Sequence, residues 1–251
     1  LSAEDIALLN PNTRTCPIFR SRHDAELTMA IYRRVPVLTC GANGVQAVVD
    51  RWQIEFGAMF HMANDSVLFR NRKQLEEDGW RQRGNIYRRD DGQYLPLYEA
   101  KMVDVFDHRA SQVVISATAT IRQGQPDDLS EAQHSDPFCS PQPRYWVASE
   151  SVTESIPDDV NANWFIGFAN VTSPTNHRTV VAAILPMVAV AHSMPLVYFA
   201  NELGGVDAAA FLGCFTSFVM DYCTRQKLGG INLTFFVLNQ LPVLPPSRFD
   251  E

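Results

Sequence analysis

FLGCFTSFVMDYCTRQKLGGINLTFFVLNQLPVLPP, residues 211–246, is the stretch on which the reading of the fold turns. Phe211, Phe215, Phe218, Val219 and Tyr222 recur at i, i+4, i+7, i+8 and i+11, the spacing of one apolar helix face. Arg225 and Lys227 complement the negative end of a helix dipole, and Gly229-Gly230 supplies a stop. The β-branched and aromatic run 234–238 reads as a strand, and Pro242, Pro245 and Pro246 end regular structure as a stiff exit from the domain. A buried helix feeding a buried strand is therefore expected.

Working outward, Ser2 is placed to cap a helical turn through Leu9, with Glu4 and Asp5 in its first turn. Asp24 is expected to cap a helix over 24–34, with Leu27, Ile31 and Val35 on its apolar face. Arg14, Arg20, Arg22 and His23 gather just before it, either as a solvated edge or as phosphate contacts at a helix start. Residues 52–60 alternate as a half-buried strand. Asn64, Asp65 and Ser66 are N-cap candidates for a helix running to Asp78 and closed by Gly79. Residues 85–98 read as a hairpin with Asp90-Asp91-Gly92 at its tip. Residues 123–143, rich in Pro, Asp, Ser and Gln, read as a loop or boundary between parts spanning 1–122 and 144–251. Strands are expected over 144–147, 163–171 and 177–185, with another within 188–200. Without regular βαβ alternation, the fold class is α/β (α+β), with a mixed, mostly antiparallel twisted sheet and packed helices.

With 251 residues, 46% hydrophobic and 20% charged, the composition is that of an ordinary globular protein. No apolar run approaches the ~18 residues of a membrane span. Five cysteines, none in CxxC, suit reduced cytoplasmic thiols. The opening at Leu1, without methionine, suggests a fragment of a longer protein or a processed or trimmed chain. A net charge of −7 argues against a non-specific nucleic-acid binder, but the charge is uneven. Residues 1–109 balance 15 Lys+Arg against 15 Asp+Glu, whereas 110–251 hold 6 against 13, so an anionic ligand favours surfaces of the first part.

Phosphate-loop, GxSxG, HExxH and zinc-ligand spacings are all absent, as are a cofactor-binding Gly-rich loop and an Asn-Pro-Pro-aromatic turn. Asp91, Glu99 and Lys101 match the loose D…ExK spacing of Mg²⁺-dependent nucleases, a short pattern that is common by chance.

Several stretches in fixed order resemble one family: FRSRHDAELTMAIYRR (19–34), FHMANDS (60–66), YLPLYEAKMVDVFDHR (94–109), PRYWV (143–147), NHRTVVAAILP (176–186) and the closing segment. They resemble the C-terminal target-recognition region of large adenine-N6 DNA methyltransferases of bacterial restriction–modification and phage-defence systems. The resemblance implies a TaqI-type specificity domain that reads double-stranded DNA without chemistry of its own. Its partner would be the catalytic domain of the same polypeptide, where S-adenosylmethionine binds, and this chain would hold no cofactor or metal. It further implies DNA contacts by Arg20, Arg22, Lys101, His108, Arg109, Asn170, Asn176, Arg178, Arg225 and Lys227. Arg178 is expected to read a base and Lys101 to grip the backbone. His177 stands where the family often has an acidic residue, and Ala169-Asn170 where an arginine is frequent. The alternatives are a Mg²⁺-dependent nuclease using Asp91, Glu99 and Lys101, and a protein-interaction module docking through its apolar C-terminal surface.

Overall fold

The computed structural model describes residues 1–41, 49–90, 92–116, 124–158, 160, 163–199 and 204–249. The chain divides into two compact units, each discontinuous in sequence. The first comprises Leu1–Glu55, Asn170–Val180 and Phe199–Glu251, and the second Phe56–Ala169 and Val181–Tyr198. The 123–143 stretch is thus not a boundary: its described part belongs wholly to the second unit.

The first unit is mainly helical. Ala3–Leu9 is capped by Ser2, whose hydroxyl accepts from the Asp5 amide while the Asp5 carboxylate accepts from the Ser2 amide. Arg22–Tyr32 is capped by Ser21, not Asp24, which sits three residues in and accepts from the Ser21 hydroxyl. The closing segment is not one helix. Gly205–Phe215 stops at Thr216, and Phe218–Lys227 restarts with Ser217 as its N-cap. That break rotates the apolar stripe, so Phe211 and Phe215 are buried whereas Phe218 is 78% and Val219 52% exposed. The expected strand at 234–238 is a short helix, Phe235–Leu238, its β propensity overridden by packing that buries Leu238. Residues 239–243 do not leave the unit, because they exchange backbone hydrogen bonds with 36–39.

The second unit is built on sheets. One runs in the order Ala182–Pro186, Trp164–Phe168, Leu196–Phe199. The other runs Ala189–Val190, Gly92–Tyr98, Ile86–Arg89, Arg81–Arg83, with Trp146–Ala148 also paired to Gly92–Tyr98. Trp164–Phe168 is antiparallel to Ala182–Pro186 and Leu196–Phe199, as Gly92–Tyr98 is to Ile86–Arg89 and Trp146–Ala148, whereas Ala189–Val190 runs parallel to Gly92–Tyr98 and Phe60 bridges Ala191 in parallel, so the expected mixed, mostly antiparallel α/β class holds. The Ile86–Arg89/Gly92–Tyr98 hairpin matches the expectation, although Asp91 at its tip lies outside the described residues. Within 64–78 the helix splits into a 3-10 turn, Ser66–Leu68, and Arg72–Glu77 capped by Asn71; Gly79, at φ +81°, ends it.

The polar stretch after 123 folds because its side chains find partners. Gly124–Asp128 pairs with Ser111–Ile115, the Ser111 hydroxyl donating to Asp128 at 2.7 Å and the Gln112 amide to Asp127 at 2.9 Å. A capping box at Ser130 then starts Glu131–Ser135. Among the described residues no single helix is long and apolar enough to cross a membrane.

Candidate nucleic-acid interface

Asp221 is the centre of the first unit's polar chemistry. Phe218–Lys227 carries it on the buried face, with 4% of its surface exposed. One oxygen accepts from the amides of Thr179 (2.7 Å) and Val180 (2.9 Å) and from Arg178 Nε (3.4 Å); the other accepts from Arg225 Nε at 2.7 Å. Burial alone would raise its pKa, but the hydrogen bonds from Val180, Arg225 and Thr179 together with the Arg225 charge outweigh burial and hold it below the ordinary 3.8.

Both arginines also donate to backbone oxygens. Arg178 donates to the Thr216 carbonyl and lies over the Phe218 ring, 4.8 Å from its centroid. Arg225 donates to the carbonyls of Pro174 (3.0 Å), Asn176 (2.8 Å) and His177 (2.8 Å). The turn at 173–177 is thereby fixed from behind, and it presents Thr175, Asn176 and His177 to solvent.

This reassigns the expected roles. Arg178, with only 15% of its side chain exposed, braces the turn from behind by donating to Asp221 from Nε and to the Thr216 carbonyl from Nη2. Asn176 and His177 beside it are exposed, and the Asn176 amide nitrogen donates to the Thr172 hydroxyl at 3.5 Å. The i, i+4 spacing of Asp221 and Arg225 was the only local sign of this network.

A cleft of about 440 Å³ adjoins the turn through Pro174. Arg20, Arg225 and Lys227 line it, together with Gln226, Cys16 and Phe236, and among the described residues no carboxylate does. Arg20 is exposed and makes no side-chain hydrogen bond or ion pair among the described residues. Lys227, by contrast, uses its three donors on the Leu9 carbonyl, Asn10 Oδ1 (2.9 Å) and the Gln240 carbonyl (2.8 Å), and sits 4.7 Å from the Tyr32 ring centroid. Burial lowers its pKa to about 7, against three acceptors that favour the charged form. Lys227 clamps the C-terminal end of the first helix. Arg22 lies outside the cleft in an exposed i, i+4 pair with Glu26, and half-buried Asn170 accepts the Leu233 amide at its carbonyl.

Lys101, His108 and Arg109 belong to the second unit. Lys101 pairs with Glu99 at 2.9 Å and donates to the Gly124 carbonyl at 2.8 Å. Arg109 ties down the end of Glu131–Ser135 by donating to the carbonyls of His134, Asp136 and Cys139. Burial, ahead of the Asp107 charge that opposes it, lowers the pKa of His108. Of the nuclease pattern, Asp91 lies outside the described residues, and Glu99 and Lys101 pair with each other. Among the described residues no three of His, Cys, Asp and Glu are grouped to hold a metal ion.

No protein-family model matches the chain, and no curated protein is significantly similar to it.

Proposed function

We propose that this chain is a DNA sequence-recognition domain with a TaqI-type fold, part of a cytoplasmic adenine-N6 methyltransferase or methyltransferase–nuclease fusion. It holds double-stranded DNA for the catalytic domain, which binds S-adenosylmethionine. The observation that carries this reading is the 173–177 turn, braced by Arg225 and Asp221, beside a cleft that the uncommitted Arg20 lines and, among the described residues, no acid does. A reader needs side chains whose position is fixed before the duplex arrives, because ordering them on binding costs affinity. Asn176, which can pair bidentately with adenine, and His177 are the specifying groups; Arg20 is a backbone contact.

The test is duplex binding by the whole chain at low salt, with a selected against a scrambled sequence. Asn176→Ala and His177→Ala should relax preference at one base position, each good contact discriminating by about 1–3 kcal/mol. Arg20→Gln should weaken all sequences alike. Absence of duplex binding, or an unchanged preference in both turn variants, sinks the reading.

A second reading has its own support. Phe218 (78% exposed), Ile231 (66%) and Phe236 (60%) are large apolar side chains at the surface of the first unit, as an interaction module requires. A stable protein complex without DNA affinity would favour it.

A further inference from the structure

Among the described residues of the second unit, the least satisfied cations lie on a β-hairpin, RQRGNIYRR, residues 81–89. Arg81–Arg83 and Ile86–Arg89 are antiparallel, with Arg83 opposite Ile86, so the connection is the two-residue turn Gly84-Asn85. Gly84 stands at its first central position with φ +64°, as a type II′ turn needs. This register puts Arg81 directly opposite Arg88, and Arg83, two residues on, shares their face. Gln82 and Tyr87 form the pair between them and point the other way. There Tyr87 is fully buried against Trp146, with ring centroids 5.1 Å apart.

Like charges directly opposite on a sheet oppose pairing. Here nothing compensates: Arg81, Arg83 and Arg88 are exposed, and none makes a side-chain hydrogen bond or ion pair among the described residues. Arg89, on the opposite face, behaves otherwise, lying 4.4 Å from the Trp80 ring centroid and donating to the Asp78 carbonyl. The mount is rigid as well, since Trp80 packs edge-on to Tyr94 at 4.8 Å.

We propose that this arginine face is a second, sequence-independent contact, which grips the phosphodiester backbone of duplex DNA through Arg81, Arg83 and Arg88. Strand geometry spaces Arg81 and Arg83 by about 7 Å along the chain, with Arg88 about 5 Å across. The guanidiniums are therefore strung along a surface rather than gathered about one point. A row of anions fits that layout better than a single free phosphate, and guanidinium suits phosphate oxygens bidentately. A membrane is disfavoured because no large apolar side chain exposed on this unit belongs to residues 81–89. The proposal rests on the DNA-binding reading above and adds a contact remote in sequence from the 173–177 turn.

The experiment compares the whole chain with Arg81→Gln/Arg83→Gln/Arg88→Gln on a selected and a scrambled duplex across a salt series. A triple lysine variant and anionic phosphatidylserine vesicles complete the set. We expect the glutamine variant to lose at least tenfold in affinity for both duplexes and to flatten the salt slope by about 2.7, from ~0.9 per phosphate contact. The selected-to-scrambled ratio should stay unchanged, and the lysine variant should keep most of the slope. A folded glutamine variant with unaltered affinity and slope overturns this face while the reading of the turn stands. A changed ratio overturns its sequence independence. Failure of the unsubstituted chain to bind either duplex overturns the DNA reading itself. Vesicle binding that depends on the three arginines, without a matching loss on DNA, reassigns the face to lipid headgroups and overturns the proposal.

Discussion

Two groups of arginines in this chain do opposite things. Arg178 and Arg225 sit against a buried carboxylate and donate to four backbone oxygens between them. Arg81, Arg83 and Arg88 stand in solvent, with two of them opposed across a strand pair. The residue type is the same and the acceptor environment is not. Where acceptors are built in, the cation stabilises the fold and its charge is already spent; where they are missing, the charge remains available to a ligand. Removing the first kind should therefore cost stability, and removing the second kind should cost binding.

The comparison breaks most readily at Asp221. Asp221→Ala leaves two guanidiniums and the amides of Thr179 and Val180 without their acceptor. Breaking a buried pair in this way costs about 3–5 kcal/mol, and the lower end applies because Arg225 is 31% exposed. Calorimetry should show a fall in Tm of about 10 °C, and amide exchange should accelerate at 173–180. Little change would mean that the network is not what fixes the turn. The same carboxylate gives a pH signature. Its folded pKa is lowered, so its contribution is complete above the ordinary 3.8 and is lost as pH falls through the lower folded value. Denaturant melts from pH 5 downward should show this loss, and Asp221→Asn should flatten that part of the curve.

Lys227→Met comes next in size. Methionine keeps much of the apolar stem but strands the carbonyls of Leu9 and Gln240 and the Asn10 side chain, at about 2 kcal/mol. Urea unfolding measures it. If duplex binding fell sharply while stability held, Lys227 would belong with the available cations instead.

Such a division was only partly legible in the sequence. Local signals were read well where they were local in fact: the Ser2 capping box and the 85–98 hairpin each depend on neighbours within a few residues, whereas the strand at 164–168 was expected although its partners lie at 182–186 and 196–197. The break at Thr216 was also written in the chain, as a Thr-Ser pair before an acidic first turn, but a continuous apolar period concealed it. The short helix at 235–238 and the strand at 124–128 were misread for opposite reasons. In the first, packing overrode an apolar β-forming run; in the second, Ser111 and Gln112 supplied hydrogen bonds that a polar segment needs. The roles of the cations were least legible. Arg178 meets Asp221 across 43 residues and Lys227 meets Leu9 across 218, and no spacing rule announces such partners. The arginine hairpin, in contrast, was readable: Arg81 and Arg83 alternate with strand period, and Gly84-Asn85 is a turn signal.

The smallest expected effect is the most discriminating. If Arg81 and Arg88 are kept for a ligand, they are kept against the interest of the sheet, because directly opposed like charges weaken a strand pair. Solvent screens this exposed pair, so the repulsion amounts to a few tenths of a kcal/mol. Arg88→Gln should consequently leave the Tm unchanged or raise it slightly, and Arg81→Gln in the same background should add almost nothing further. A double-mutant cycle from chemical denaturation at low and high salt isolates that coupling, which should be unfavourable and fade as salt rises. A favourable coupling would mean that the two guanidiniums serve the hairpin itself. The arginine face would then join Arg178 and Arg225 as architecture, and the contrast between the two groups would dissolve.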